Sequence, residues 1–188
     1  EQLAAAVGCR PADVVFTSGG TEGDNLAVKG LTWARRAGDP TRRRVLTSAV
    51  EHHAVLDPAA WLAEHDGAVH ELLGVDHEGR LDLDALAARL AADPDGVALV
   101  SVMWGNNEVG TVQPIEEIVA LAGRYGVPVH TDAVQALGAL DVDLTATGVD
   151  AATLSAHKVG GPYGVGALVC RREVGLVPLV HGGGQEQD

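Results

Sequence analysis

Short apolar runs alternate along this chain with amphipathic stretches, and that alternation constrains its fold more than any other feature. Val14–Thr17, Val45–Ser48, Val69–Val75, Val97–Met103, Val127–His130, Ala151–Leu154 and Gly166–Cys170 read as seven strands. Between them the spacing predicts a helix from Glu22 to Arg36 and another from Val55 to His65, with Pro58 in its first turn. A third helix, capped by Asp82 or Asp84, carries Leu86 and Leu90 at i, i+4 spacing. A fourth starts at Pro114, with Ile115, Ile118, Val119 and Ala122 on one face. Strands separated by helices require right-handed crossovers. The expected class is therefore α/β, a mainly parallel seven-stranded sheet covered by helices. Val97–Met103 barely alternates, as a strand covered on both faces should. In such sheets ligands bind beyond the carboxyl ends of the strands.

Composition narrows the function. With 26 acidic and 13 basic residues the net charge is −13, which argues against a nucleic-acid surface. No apolar run approaches the roughly 18 residues of a membrane span. A hydrophobic fraction of 46% argues against disorder. Two cysteines, Cys9 and Cys170, are too few for a disulfide framework and suggest a reducing, cytoplasmic setting. The first residues, Glu1-Gln2-Leu3, do not read as a secretory leader. Of the basic residues 11 are Arg, so chemistry needing a primary amine has two candidates, Lys29 and Lys158. Lys29 lies mid-helix and reads as solvated, as does the Arg42-Arg43-Arg44 loop.

Polar clusters follow the strands. Ser18-Gly19-Gly20-Thr21-Glu22 can present helix N–H groups to an anion, or be a plain turn capped by Thr21. It is not a Walker loop, because no Gly-Lys-Ser/Thr follows. Glu51-His52-His53 offers imidazoles for stacking or proton exchange, or a loop end; no third ligand at helical spacing points to metal. Gly105-Asn106-Asn107-Glu108-Val109-Gly110 supplies amides for an oxygen-bearing ligand, or builds a turn. Asp132 leaves an apolar run, where an unpaired acid is costly; a cationic ring nitrogen would suit it, and so would a helix cap. Ser155-Ala156-His157-Lys158 places a lysine at a strand end, where its amine can form an imine with an aldehyde. Ser155-x-x-Lys158 also matches the penicillin-recognising acylases, but their Ser-Asp-Asn and Lys-Thr-Gly are absent.

In order, these segments resemble the cysteine desulfurases, pyridoxal-phosphate (PLP) enzymes of the class V aminotransferase superfamily. The matching stretches are 17–25, 51–56, 106–115, 130–135, 155–158 and His-Gly-Gly-Gly-Gln-Glu at 181–186. Asn-Asn-Glu-x-Gly and the last stretch are similar to the iron–sulfur-assembly type. The resemblance implies the fold type I large domain over residues 1–188, and catalytic roles for Lys158 and His52. Lys158 would hold PLP covalently and later move the α-proton. Asp132 would pair with the pyridine nitrogen, and His52 would stack on the ring. Gln135 and Asn107 would lie near the ring oxygen. Gly20, Thr21, Ser155 and His157 would bind the phosphate.

The family's substrate is L-cysteine, its product L-alanine, and its sulfur passes as a persulfide to an acceptor such as an iron–sulfur scaffold protein. Members are homodimers. This chain departs from the pattern: neither Cys9 nor Cys170 matches the catalytic position, which with the substrate-binding arginine would fall after Asp188. The expectation is an incomplete desulfurase, inactive alone. Other expectations left open are a selenocysteine lyase, an aminotransferase, or a non-catalytic domain of the same fold.

Overall fold

The computed structural model describes residues 1–182. The apolar runs form β1 (Val14–Thr17), β2 (Arg44–Ser48), β3 (Val69–Leu73), β4 (Val97–Ser101), β5 (Val129–Asp132), β6 (Ala151–Ser155) and β7 (Gly166–Cys170). They make one sheet in the order β1-β7-β6-β5-β4-β2-β3. Strands β2 to β6 pair in parallel, while β7 is antiparallel to β6 and β1. The mainly parallel seven-stranded sheet is thus the one expected.

Among the described residues six α-helices accompany it: α1 (Gln2–Ala6), α2 (Gly20–Gly38), α3 (His53–His65), α4 (Leu83–Ala92), α5 (Ile115–Gly123) and α6 (Leu144–Thr147). Period-2 alternation divides the core between the two faces. Val45, Leu99, Ala151 and Leu168 pack with Leu26, Leu31, Val55 and Leu62 of α2 and α3. Their chain neighbours Leu46, Val100, Ala152 and Val169 pack with Leu86, Leu90, Ile118 and Ala122 of α4 and α5. Leu99 is fully buried, so Leu99→Ala costs roughly 2–5 kcal/mol.

Several boundaries move, each for a local reason. β5 begins at Val129, not Val127, because the Val127 N–H still bonds the Ala122 carbonyl and Pro128 has no N–H to give. Asp132 is therefore the last residue of the strand. β3 stops at Leu73, where the Asp76 side chain folds the following turn by accepting N–H bonds from Glu78 and Arg80. α3 starts at His53, so Pro58 is its sixth residue and lies inside the helix rather than in the first turn. The Arg42–Arg44 segment is only in part a solvated loop: Arg42 and Arg43 precede the strand, with Arg43 exposed, and Arg44 does not belong to it. Arg44 opens β2 with its side chain 13% exposed and pairs with Glu71 at 2.5 Å. Nor is Lys29 simply solvated: its Nζ lies 4.3 Å from the Trp61 ring centroid.

Candidate active site

Close packing sets the first wall of the site. A Cβ on Gly166 would come within 2.7 Å of the Gly19 backbone, and one on Gly23 within 2.7 Å of the Thr153 methyl. These glycines let α2 settle on β6 and β7, with its N-terminus at the carboxyl end of the sheet. Gly19 is the N-cap and no side chain caps it; the alternative of Thr21 as cap does not hold. Glu22 instead reaches back to the Ser18 N–H at 2.7 Å. The first-turn N–H groups thus carry the positive end of the helix dipole toward the site.

The second wall comes from β2 and β4. His52 is the N-cap of α3, its Nδ1 accepting the Ala54 N–H at 3.0 Å. In a neutral ring that bond leaves the proton on Nε2, free to act in the cavity. Beside it Glu51 is buried and accepts the Met103 N–H on both oxygens at 2.9 Å, with Ser48 Oγ also bonded. Burial pushes its carboxyl up to about 8, against the opposing pull of those hydrogen bonds. The two asparagines divide the earlier alternatives. Asn106 is buried and builds the turn, donating to the Val50 carbonyl and accepting from Glu108 and Val109 N–H. Asn107 is exposed and lines the cavity.

The floor is Asp132 at the end of β5. It is 6% exposed, and one oxygen accepts the Val134 N–H at 2.9 Å. It therefore caps the turn and faces the cavity at once. Burial raises its proton affinity; the Val134 bond, His52 and Lys158 oppose that rise. Beyond β6 a 3-10 turn (Ala156–Val159) carries His157 and Lys158. Ser155 Oγ lies 2.8 Å from His157 Nδ1 and is 1% exposed, a poor placement for an acylating nucleophile.

Gly20, Thr21, His52, Asn107, Asp132, Gln135, His157 and Lys158 line one cavity of about 240 Å³, together with Met103 and Val134. Of the nine residues to which the resemblance gives a role, Ser155 is the one that does not line the cavity; it is bonded to His157. His53 points elsewhere, exposed and 3.2 Å from Asp57. Neither cysteine lines the cavity; burial pushes the Cys170 thiol up to about 12. The 183–186 part of the His-Gly-Gly-Gly-Gln-Glu stretch lies outside the described residues.

Sequence reasoning gave no role to Glu51, Asp24 or Met103. The cost of burying an acid, applied to Asp132, also applied to Glu51, which leaves β2 in the same way. Met103 is the sole methionine and carried no signal.

The profile of the aminotransferase class-V family matches residues 1–188. The chain belongs to the class-V aminotransferase family. Within it, the chain is 55% identical to an IscS-like cysteine desulfurase of Mycobacterium tuberculosis, over all of this chain and 48% of that protein. Among solved structures, a NifS-like protein superposes with a TM-score of 0.91 at 37% identity, covering 99% of this chain and 50% of that one. The structure titled SspA in complex with cysteine gives 0.87 at 38% identity, covering 97% and 51%. This class-V chain thus spans about half the length of the relatives it matches.

Proposed function

We propose that this chain is the PLP-binding large domain, residues 1–188, of a cysteine desulfurase. The observation that carries the reading is the convergence of an amine, a buried carboxylate, an imidazole and an uncapped helix N-terminus on one cavity. That donor set suits a pyridine aldehyde phosphate: cation partner, ring face, aldehyde partner and anion cradle are all present. Bound there, PLP supplies an electron-accepting ring that stabilises negative charge at the substrate α-carbon.

The chain's own residues then have distinct tasks. The Lys158 amine would hold the aldehyde end of the group and, when free, could take up and return a proton. Asp132, as an anion, would keep a proton on the ring nitrogen. His52 would cover the ring face and could exchange a proton through Nε2. Gln135 and Asn107 would donate to the ring oxygen. The N–H groups at Gly20 and Thr21, with the Ser155 hydroxyl and His157, would hold the phosphate.

The substrate is L-cysteine. An enzyme cysteine thiolate attacks the substrate sulfur, the electron pair of the C–S bond goes to Cβ, which takes up the proton that the thiol gave up, and the products are an enzyme persulfide and L-alanine. That nucleophile is not among the described residues, because neither Cys9 nor Cys170 lines the cavity. The complete enzyme is a cytoplasmic homodimer and passes sulfur to an acceptor such as an iron–sulfur scaffold protein, while this chain alone is inactive. The test is titration with PLP. Wild type should show a visible absorption band that Lys158→Ala lacks, and the complete enzyme should release alanine from cysteine. Equal binding by wild type and Lys158→Ala would overturn the cofactor reading. Robust sulfide release by the 188 residues alone would overturn the missing nucleophile.

A further inference from the structure

Beneath Asp132 lies a second buried acid that the proposed chemistry does not use. Asp24 sits one turn into α2 and is 1% exposed. Its Oδ1 has no hydrogen-bond partner among the described residues. The nearest base is His130 Nε2 at 3.7 Å, already 2.9 Å from Thr153 Oγ1, while His130 Nδ1 is 2.8 Å from Ser101 Oγ. His130 is fully buried and has no water contact, which pushes its pKa down to about 3 and keeps it neutral. It offers Asp24 no positive charge.

The other titratable groups that act on Asp24 are acids: Asp132 first, and more weakly Glu51, whose own carboxyl burial raises to about 8. An ionised Asp24 would be a desolvated anion with an empty acceptor beside the Asp132 carboxylate, an arrangement that burial strongly disfavours. Burial and Asp132 raise its proton affinity well above the ordinary carboxylate range, and only the Thr153 hydroxyl opposes them. Thr153 is also the register partner of Asp132, its carbonyl accepts the Ala133 N–H at 3.0 Å, and the Gly23 contact pins it beneath α2. Asp24 therefore meets the site through the strand that supports Asp132.

We propose that Asp24, held by α2 against Thr153 and His130, is a positioning residue for Asp132 that works as a neutral carboxylic acid. By holding its own proton it leaves Asp132 as the anion facing the cavity. A second anion there would draw a proton onto Asp132 and weaken its hold on a ring nitrogen.

Two measurements test this, the first without any cofactor. In infrared spectra of the full chain at pH 7, wild type minus Asp24→Asn should show the carbonyl band of a protonated carboxylic acid. A carboxylate difference in its place overturns the proposal. The second rests on the PLP reading: Asp24→Asn should keep PLP affinity within about twofold of wild type and leave the pH profile of the visible band unmoved. Asp24→Ala should weaken PLP binding about tenfold or more and shift that profile. A shifted profile in Asp24→Asn, or an unshifted one in a folded Asp24→Ala, also overturns it. Should Lys158→Ala bind PLP like wild type, the cofactor reading fails while the infrared result stands.

Discussion

The two ends of the sheet handle charge in opposite ways. At the amino end several charges are paired with one another. Arg44 bonds Glu71, which also takes Arg89 at 3.2 Å; Arg10 holds Asp13 at 2.8 Å and Glu173 at 3.0 Å. Asp150 accepts the Val129 N–H that starts β5, with Arg171 at 3.8 Å. A hollow of about 300 Å³ lies there, larger than the cavity at the other end, yet its arginines, Arg10 and Arg171, are already engaged by Asp13, Glu173 and Asp150. At the carboxyl end Lys158 and Asp132 make no ion pair among the described residues, and α2 has no side-chain cap. Size does not mark the functional end. Charges that folding leaves unmatched do, because only a ligand can match them.

Lys158→Ala breaks that comparison hardest: the visible band on PLP addition should vanish, and a retained band would mean another group binds the aldehyde. Asp132→Ala should follow, weakening PLP affinity roughly 100-fold in a fluorescence titration, the range for removing one partner of a buried pair. Affinity equal to wild type would show that the carboxylate does not face the ring.

Glu51→Gln sharpens the comparison through pH. The folded chain holds the Glu51 proton to about pH 8, whereas an unfolded chain releases it near pH ~4.3. Between those values unfolding releases a proton, so this acid lowers stability as pH rises. The glutamine variant should match wild type near pH 4 and exceed it by on the order of 5 kcal/mol at pH 8, read from denaturant midpoints. A variant less stable at pH 8 than at pH 4, relative to wild type, would mean Glu51 is anionic. Arg44→Ala is the control from the amino end. It should cost about 1–2 kcal/mol of stability and leave PLP affinity unchanged.

Much of this was legible along the chain. The helix–strand alternation predicted the seven strands, and strand ends located Asp132, His52 and Lys158 because parallel sheets collect polar residues there. The Gly and Asn clusters marked turns without saying which amide serves the turn. Arg44 and Lys29 misled because their partners, Glu71 and Trp61, are distant in sequence. Glu51 and Asp24 stayed silent for the same reason: an acid reveals its burial only once helices and strands close over it.

The sequence by itself determined the fold class, the family resemblance and the supply of chemical groups, including a single well-placed lysine. These depend on local periodicity and on residue identity, which need no third dimension. Tertiary structure alone decided which groups share a cavity, which of two adjacent asparagines faces it, and which acids lose their water. Proton affinity and ligand access depend on what surrounds an atom from every side, and that is settled only when the chain packs.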